Sequence, residues 1–155
     1  MFLLYIKLFV ACYYLIITII HYHSLFIVLY TPNFFSMQFT GRHILNIDDF
    51  TKEELLYVLR TADKMQTQPP ILQNHIMASL FFEPSTRTRL SFESAMKRLG
   101  GSVIGFSDCN DTSLAKGESF MDTIKVIDGY CDVMVIRHPE TGSAQKAAEV
   151  TTVPV

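Results

Sequence analysis

Behind residue 50 the sequence switches repeatedly between a helical hydrophobic period and short unbroken apolar runs, and that alternation restricts the fold more than any other feature. Thr51 followed by Glu54 forms a capping box. Leu55, Leu56, Val58, Leu59, Ala62 and Met65 then recur on one helix face until Gln68-Pro69-Pro70 stops it. Ile76 to Phe82 is a short apolar run ending at Pro84, read as a buried strand. Thr86 to Leu99 has a helical stripe of Leu90, Ala95, Met96 and Leu99, closed by Gly100-Gly101. Ser102 to Phe106 reads as a strand, Ser107 to Gly117 as a polar loop without period, and Ser119 to Tyr130 as a helix. Asp132 to Ile136 is a strand, Ser143 to Glu149 a short helix, and Val153-Pro154-Val155 the start of a further strand. Connections of this length predict an α/β fold, a parallel sheet with right-handed crossovers and helices on both faces. Ligands of such sheets bind in loops at the carboxyl ends of the strands, here after Phe82, Phe106 and Ile136.

The 155 residues suit one ordinary domain, and 49% apolar against 18% charged residues excludes disorder and low-complexity character. A net charge of -2 gives no general attraction for nucleic acid. Cys12, Cys109 and Cys131 share no metal-ligand spacing, and their odd number and scatter argue against a disulfide framework.

The front of the chain is different. Between residues 1 and 30 only Lys7, Thr18, His21, His23 and Ser24 are neither apolar nor aromatic, and every acidic residue follows position 47. A spanning helix needs about 20 mostly apolar residues, which Phe2 to Tyr30 exceeds. The segment ends in bulky residues without a small-residue cleavage pattern. Three readings stay open: a membrane anchor, a targeting peptide, or sequence ahead of the true translation start. The first two imply a membrane contact or an organelle, the third a cytoplasmic protein. Residues 31–40 read as a linker, with the domain boundary near Thr40 and the domain over 41–155.

Chemistry concentrates in the three loops. In FFEPSTRTRLSFE, Ser85, Thr86, Arg87 and Thr88 stand where a strand hands over to a helix. Free N–H groups and the partial positive charge of a helix start suit a phosphate, three hydroxyls add donors, and Arg87 or Arg89 adds a cation able to hold two oxygens. Plain capping by Ser85, with Arg89 as a solvated charge, explains one hydroxyl but not the run. In SDCNDTSLAKGES, Ser113 and Lys116 offer a donor and a cation, although on residues alone Lys116 is an ordinary exposed lysine. Arg137, at the carboxyl end of a buried strand, points toward the first loop's rim, or else pairs with Asp132 or Glu140. His138, beside Pro139, reads as structural rather than as an acid–base group. No nucleophile motif, metal spacing or Gly-rich phosphate loop is present.

These loops together resemble the carbamoyl-phosphate half of the aspartate carbamoyltransferase family. The resemblance runs from about Arg42 to Val155 and is strongest in FFEPSTRTRLSFESAMKRLGG, followed in family order by SLAKGES, MDTIKV and DVMVIRHPETGSA. The sister ornithine enzymes share STRTR but typically carry a lysine where this chain has Glu83-Pro84. The resemblance implies that Ser85, Thr86, Arg87 and Thr88 form the phosphate loop, that Arg87 holds the leaving phosphate, and that Thr88 and Arg137 also contact the carbamoyl oxygen. It implies that Ser113 and Lys116 reach a neighbouring subunit's site in a homotrimer, where aspartate also binds, and that Glu118 is an interface acid placing that loop. The implied reaction converts carbamoyl phosphate and L-aspartate to N-carbamoyl-L-aspartate and phosphate in pyrimidine synthesis, with no metal or organic cofactor.

The family pattern continues beyond what this sequence contains. A Gly-rich segment, a His-Pro-Thr-Gln motif, and a second domain with the arginines that hold aspartate are expected after the position of Val155. The chain alone is therefore expected to be nearly inactive, since both substrates must be oriented. The alternative is a non-enzymatic, membrane-attached module that binds phosphate or carbamoyl phosphate or joins trimers of a longer relative.

Overall fold

A computed structural model describes residues 39–65, 69–108 and 112–155, without the side chains of 62–65. The anchor and targeting expectations for residues 1–30 lie outside these residues, as does the linker expectation over 31–38; Phe39, placed in the linker, is buried against Val58. Among the described residues no helix is long and apolar enough to cross a membrane.

The element order is α1 (Lys52–Met65), β1 (Ile76–Phe81), α2 (Thr86–Arg98), β2 (Ser102–Phe106), α3 (Phe120–Asp128), β3 (Val133–Arg137) and α4 (Ser143–Ala148). The three strands are parallel in the order β2-β1-β3. Ile76 pairs with Ser102 and Leu80 with Phe106, while Met77 pairs with Val133 and Phe81 with Arg137. All three carboxyl ends therefore lie on one rim.

Side chains along β1 alternate between two cores. Met77 joins Leu72, Ala95, Met96, Leu99 and Val133 on the α2 face. Ala78 and Leu80 join Ile124, Met134 and Ala147 on the face of α3 and α4. The sheet thus carries helices on both faces, as the alternation predicts. After β1 the chain leaves to one face, and after β3 to the other. The crevice between these strand ends is the point where such sheets take ligands.

Local chemistry sets the ends of the elements. Thr51 N–H donates to Glu54 Oε2 at 2.7 Å and Glu54 N–H to Thr51 Oγ1 at 3.2 Å, the expected capping box. Ser119 caps α3 by accepting the Asp122 N–H at 3.1 Å. At Gly105 in β2, φ is +136° and an added Cβ would lie 2.1 Å from the Ser79 carbonyl oxygen, so only glycine allows the backbones to meet there.

Four expectations need correction. The α1 stripe is only partly buried: Val58 packs with Phe39, Phe50 and Tyr57, but Leu56 and Leu59 are 39% and 47% exposed. This cluster is separate from both sheet cores, so over its described side chains α1 buries a narrow edge. On α2, Ala95, Met96 and Leu99 are fully buried, whereas Leu90 in the first turns is 49% exposed, beyond the reach of the core. Within the polar loop, Ser113–Lys116 forms a 3-10 turn, fixed by Leu114 N–H donating to Thr112 Oγ1 and closed by left-handed Gly117 at φ 93°. A single turn is too short to leave a hydrophobic period. Val153-Pro154-Val155 forms no strand; Pro154 has no N–H to give a ladder, and Met134 N–H donates to its carbonyl at 2.8 Å.

Candidate anion-binding site

Every strand end contributes to the rim, but the described structure gathers the candidate residues unequally. Pro84, Ser85, Thr86, Arg87, Thr88 and Arg137 line a depression of about 390 Å³. The β1 exit and α2 start supply five of them, and the end of β3 supplies Arg137. The register explains the meeting: Arg137 pairs with Phe81, and Phe82 N–H donates to the Arg137 carbonyl at 2.9 Å, so the next residues of the first loop pass over the arginine.

Ser85 occupies the N-cap position of α2 with φ -154° and ψ 104°, yet its side chain makes no cap hydrogen bond. Its Oγ instead accepts from Arg137 Nη1 at 3.1 Å. Simple capping therefore does not account for this hydroxyl. No acidic residue occupies the first turn of α2, so its partial positive charge is not offset there. Arg89 is not a solvated charge either. Its Nη1 lies 3.2 Å from Glu93 Oε1, which also accepts from the buried Ser79 hydroxyl at 3.1 Å.

The acidic partner of Arg137 is Glu83, with Nε to Oε1 at 2.5 Å, and neither Asp132 nor Glu140. Asp132 precedes β3 and accepts from Ile76 N–H at 2.7 Å at the opposite end of the strands. Five residues of strand separate it from Arg137 by about 16 Å. Glu140 pairs with Lys146 at 2.5 Å, and that hydrogen bond and charge hold its carboxyl below the ordinary range. Glu83 is the site residue that sequence reading missed. It lies two positions past the Phe81–Arg137 pair, a signal visible only once the register is known.

Ser113 and Lys116 are exposed on the 3-10 turn, and Glu118 follows it partly buried. None of the three lines the depression within this chain. The His138 ring packs against Phe82 and Phe120, with centroids 4.8 and 5.0 Å away. Burial pushes the Cys131 thiol up to about 11, which leaves it protonated and unreactive at neutral pH. Among the described residues, no group of three or more His, Cys, Asp or Glu is gathered to hold a metal ion. What the depression offers is hydroxyls, helix N–H groups and guanidinium, a set suited to a phosphate-like anion.

Residues 42–155 match the family described as "Aspartate/ornithine carbamoyltransferase, carbamoyl-P binding domain". The aspartate carbamoyltransferase catalytic subunit of Thermococcus kodakarensis is 53% identical over 125 residues, covering 77% of this chain and 40% of that protein. Among solved structures, the catalytic subunit of M. jannaschii aspartate transcarbamoylase superposes with a TM-score of 0.64 at 48% identity, covering 72% of this chain and 40% of that one. Aspartate transcarbamoylase from Trypanosoma cruzi, in complex with carbamoyl aspartate and phosphate, gives a TM-score of 0.72 at 37% identity over 81% of this chain and 40% of its own. The chain thus spans about 40% of the length of these relatives. With a family match over residues 42–155 and relatives above 50% identical, the chain belongs to the aspartate/ornithine carbamoyltransferase family through its carbamoyl-phosphate-binding domain.

Proposed function

We propose that residues 41–155 are the carbamoyl-phosphate half of an aspartate carbamoyltransferase and that the depression holds the phosphate of that substrate. The carrying observation is the convergence of Ser85, Thr86, Arg87 and Thr88 with Arg137 around one rim depression. In this reading the α2 start and the three hydroxyls bind phosphate oxygens, and Arg87 holds the group that leaves. Thr88 and Arg137 donate to the carbamoyl oxygen. Ser113 and Lys116, outside the depression of their own chain, serve the site of a neighbouring copy in a homotrimer, with Glu118 placing their turn.

Chemistry follows from these placements. The aspartate amine attacks the carbamoyl carbon, the carbon–oxygen bond to phosphate breaks, and the amine loses a proton, giving N-carbamoyl-L-aspartate and phosphate for pyrimidine synthesis. Two anionic substrates repel one another, and the arginines offset that repulsion. Holding amine and carbonyl in contact supplies about 7–11 kcal/mol of barrier reduction. Each donor at the developing oxyanion adds ~3–4 kcal/mol. Residues for L-aspartate belong to the further domain that the longer relatives have room for, and without it this half binds one substrate only.

Calorimetric titration of the chain with carbamoyl phosphate and with inorganic phosphate tests the reading. Micromolar to millimolar binding that Arg87→Ala abolishes is expected. In a protein that also carries the aspartate domain, Arg87→Ala lowers the rate of carbamoyl-aspartate formation at least about 100-fold, the loss of ~2.7 kcal/mol of transition-state stabilisation. Folded wild-type chain that binds neither ligand at 10 mM (roughly 2.7 kcal/mol at most) overturns it.

A further inference from the structure

The residue after Arg137 is built into its surroundings more tightly than a loop histidine requires. Glu140 N–H donates to His138 Nδ1 at 3.0 Å. A backbone N–H can only donate, so Nδ1 is the acceptor and the ring proton resides on Nε2. The Ser143 hydroxyl, 2.9 Å from Nδ1 and 2.8 Å from the Glu140 carbonyl, is then left to donate to one of these two. Ser143 is itself buried, at the start of α4. Pro139 has no N–H, so Glu140 supplies the first backbone donor after His138, and it turns back onto the histidine ring.

The ring has a second attachment. Phe82 follows β1, Phe106 ends β2, Phe120 begins α3 and His138 follows β3. Their rings form one cluster, with Phe82–His138 at 4.8 Å, Phe120–His138 at 5.0 Å, Phe82–Phe106 at 5.0 Å and Phe82–Phe120 at 5.3 Å. Every strand-end loop therefore touches this cluster. Two of its members flank the anion site in sequence: Phe82 precedes Glu83, and His138 follows Arg137. The only other described backbone tie between these loops is the Phe82 N–H to Arg137 carbonyl bond at 2.9 Å.

From the Glu140–Nδ1 bond and the ring cluster we infer that His138 is a positioning residue: its Nε2-protonated ring clamps the β3 exit to Phe82 on one side and to α4 on the other, and so holds the Arg137 guanidinium at the depression. It touches no substrate; it acts through Arg137. The inference rests on the anion-site reading above. It assigns to Nδ1 an acceptor function that the ring packing alone does not need.

Two substitutions separate acceptor from packing. His138→Phe keeps an aromatic ring between Phe82 and Phe120 but removes the acceptor. His138→Asn loses the ring but keeps an acceptor on the same atom position, since Oδ1 is bonded to Cγ as Nδ1 is. With inorganic phosphate as the probe and each chain well below its unfolding temperature, His138→Phe weakens binding about tenfold or more, while His138→Asn stays within about twofold of wild type. Wild-type affinity in His138→Phe, or equal weakening in both variants, overturns the inference. A second measurement needs no variant to fold. Nitrogen-15 NMR of the wild-type imidazole shows the unprotonated type of shift at Nδ1 and the protonated type at Nε2; the opposite tautomer overturns the proposal. Arg87→Ala is the control for the underlying reading. If it too leaves phosphate binding intact, the anion site itself is wrong, whereas loss in Arg87→Ala with wild-type binding in His138→Phe rejects His138 alone.

Discussion

Arg137 Nη1 lies 3.1 Å from Ser85 Oγ, so the residue at the cap position of α2 is tied to the end of β3 instead of to its own helix. Two other hydroxyls in cap positions among the described residues behave differently. Thr51 and Ser119 both accept from the N–H three residues on, at 3.2 and 3.1 Å. This contrast separates the two contributions of a hydroxyl, to stability and to binding. Ser119→Ala costs about 1 kcal/mol in urea unfolding, the ordinary worth of a cap. Ser85→Ala costs less than about 0.5 kcal/mol yet weakens phosphate binding about 3- to 10-fold, because the arginine loses its anchor and the anion a donor. A full cap penalty in Ser85→Ala contradicts the assignment.

Glu83 holds Arg137 Nε at 2.5 Å, with side chains 33% and 43% exposed. A pair this accessible is worth at most ~1 kcal/mol. An incoming anion competes with that carboxylate for the same guanidinium. Glu83→Gln is therefore expected to tighten phosphate binding by the chain about two- to fivefold. Calorimetry on the two proteins decides, and weaker binding in the variant rejects the competition.

Asp128, at the end of α3, gathers the Thr151–Val153 segment. It accepts from the Thr151 hydroxyl, from Thr152 N–H at 2.7 Å and from Val153 N–H at 3.1 Å. Burial raises its pKa, but these hydrogen bonds together outweigh burial and hold the carboxyl below its ordinary 3.8. A carboxylate whose pKa is lowered in the folded state stabilises above its unfolded value, and that share is lost as pH falls through the folded value. Asp128→Ala is expected to cost about 1–3 kcal/mol at pH 7, leaving the Thr152 N–H without this acceptor and the Val153 N–H with Thr151 Oγ1 at 3.3 Å. The gap between the urea midpoints of wild type and variant narrows as pH falls below 3.8. A gap that widens toward acid pH has the wrong sign.

Gly105→Ala places a methyl 2.1 Å from the Ser79 carbonyl oxygen at a backbone φ of +136°. Backbone here faces backbone, so no flexible side chain can move aside. The expected loss exceeds about 2 kcal/mol. Thermal unfolding checks it, and a midpoint within about 2 °C of wild type shows that the strands part cheaply.

The elements most legible in the sequence are those with hard borders. β1 is an apolar run stopped by Pro84, and α2 is closed by Gly100, whose φ is +89°. The residues that line the depression are legible as a group because hydroxyls and arginines at a strand-to-helix junction have few other uses. The partner of Arg137 is not legible: Asp132 and Glu140 are the acids near it in sequence, and only the pairing of Phe81 with Arg137 brings Glu83 beside it. Nor could periodicity tell that Leu56, Leu59 and Leu90 stay exposed: it marks a face without saying what covers it. The contacts of Asp128 with Thr151–Val153 span more than twenty residues, and no local pattern announces them.

β1 is hydrogen-bonded on both flanks, while β2 has a ladder partner on one side only among the described residues. β3 borrows a bond on its far side, from Met134 N–H to the Pro154 carbonyl. Amide protons of β1 and β3 should thus exchange with solvent only through global opening, and those of β2 through cheaper local excursions. The anion loop springs from the first pair. Thermal fraying of this domain consumes the β2 side first and leaves the arginine and its hydroxyls in register until the whole sheet goes.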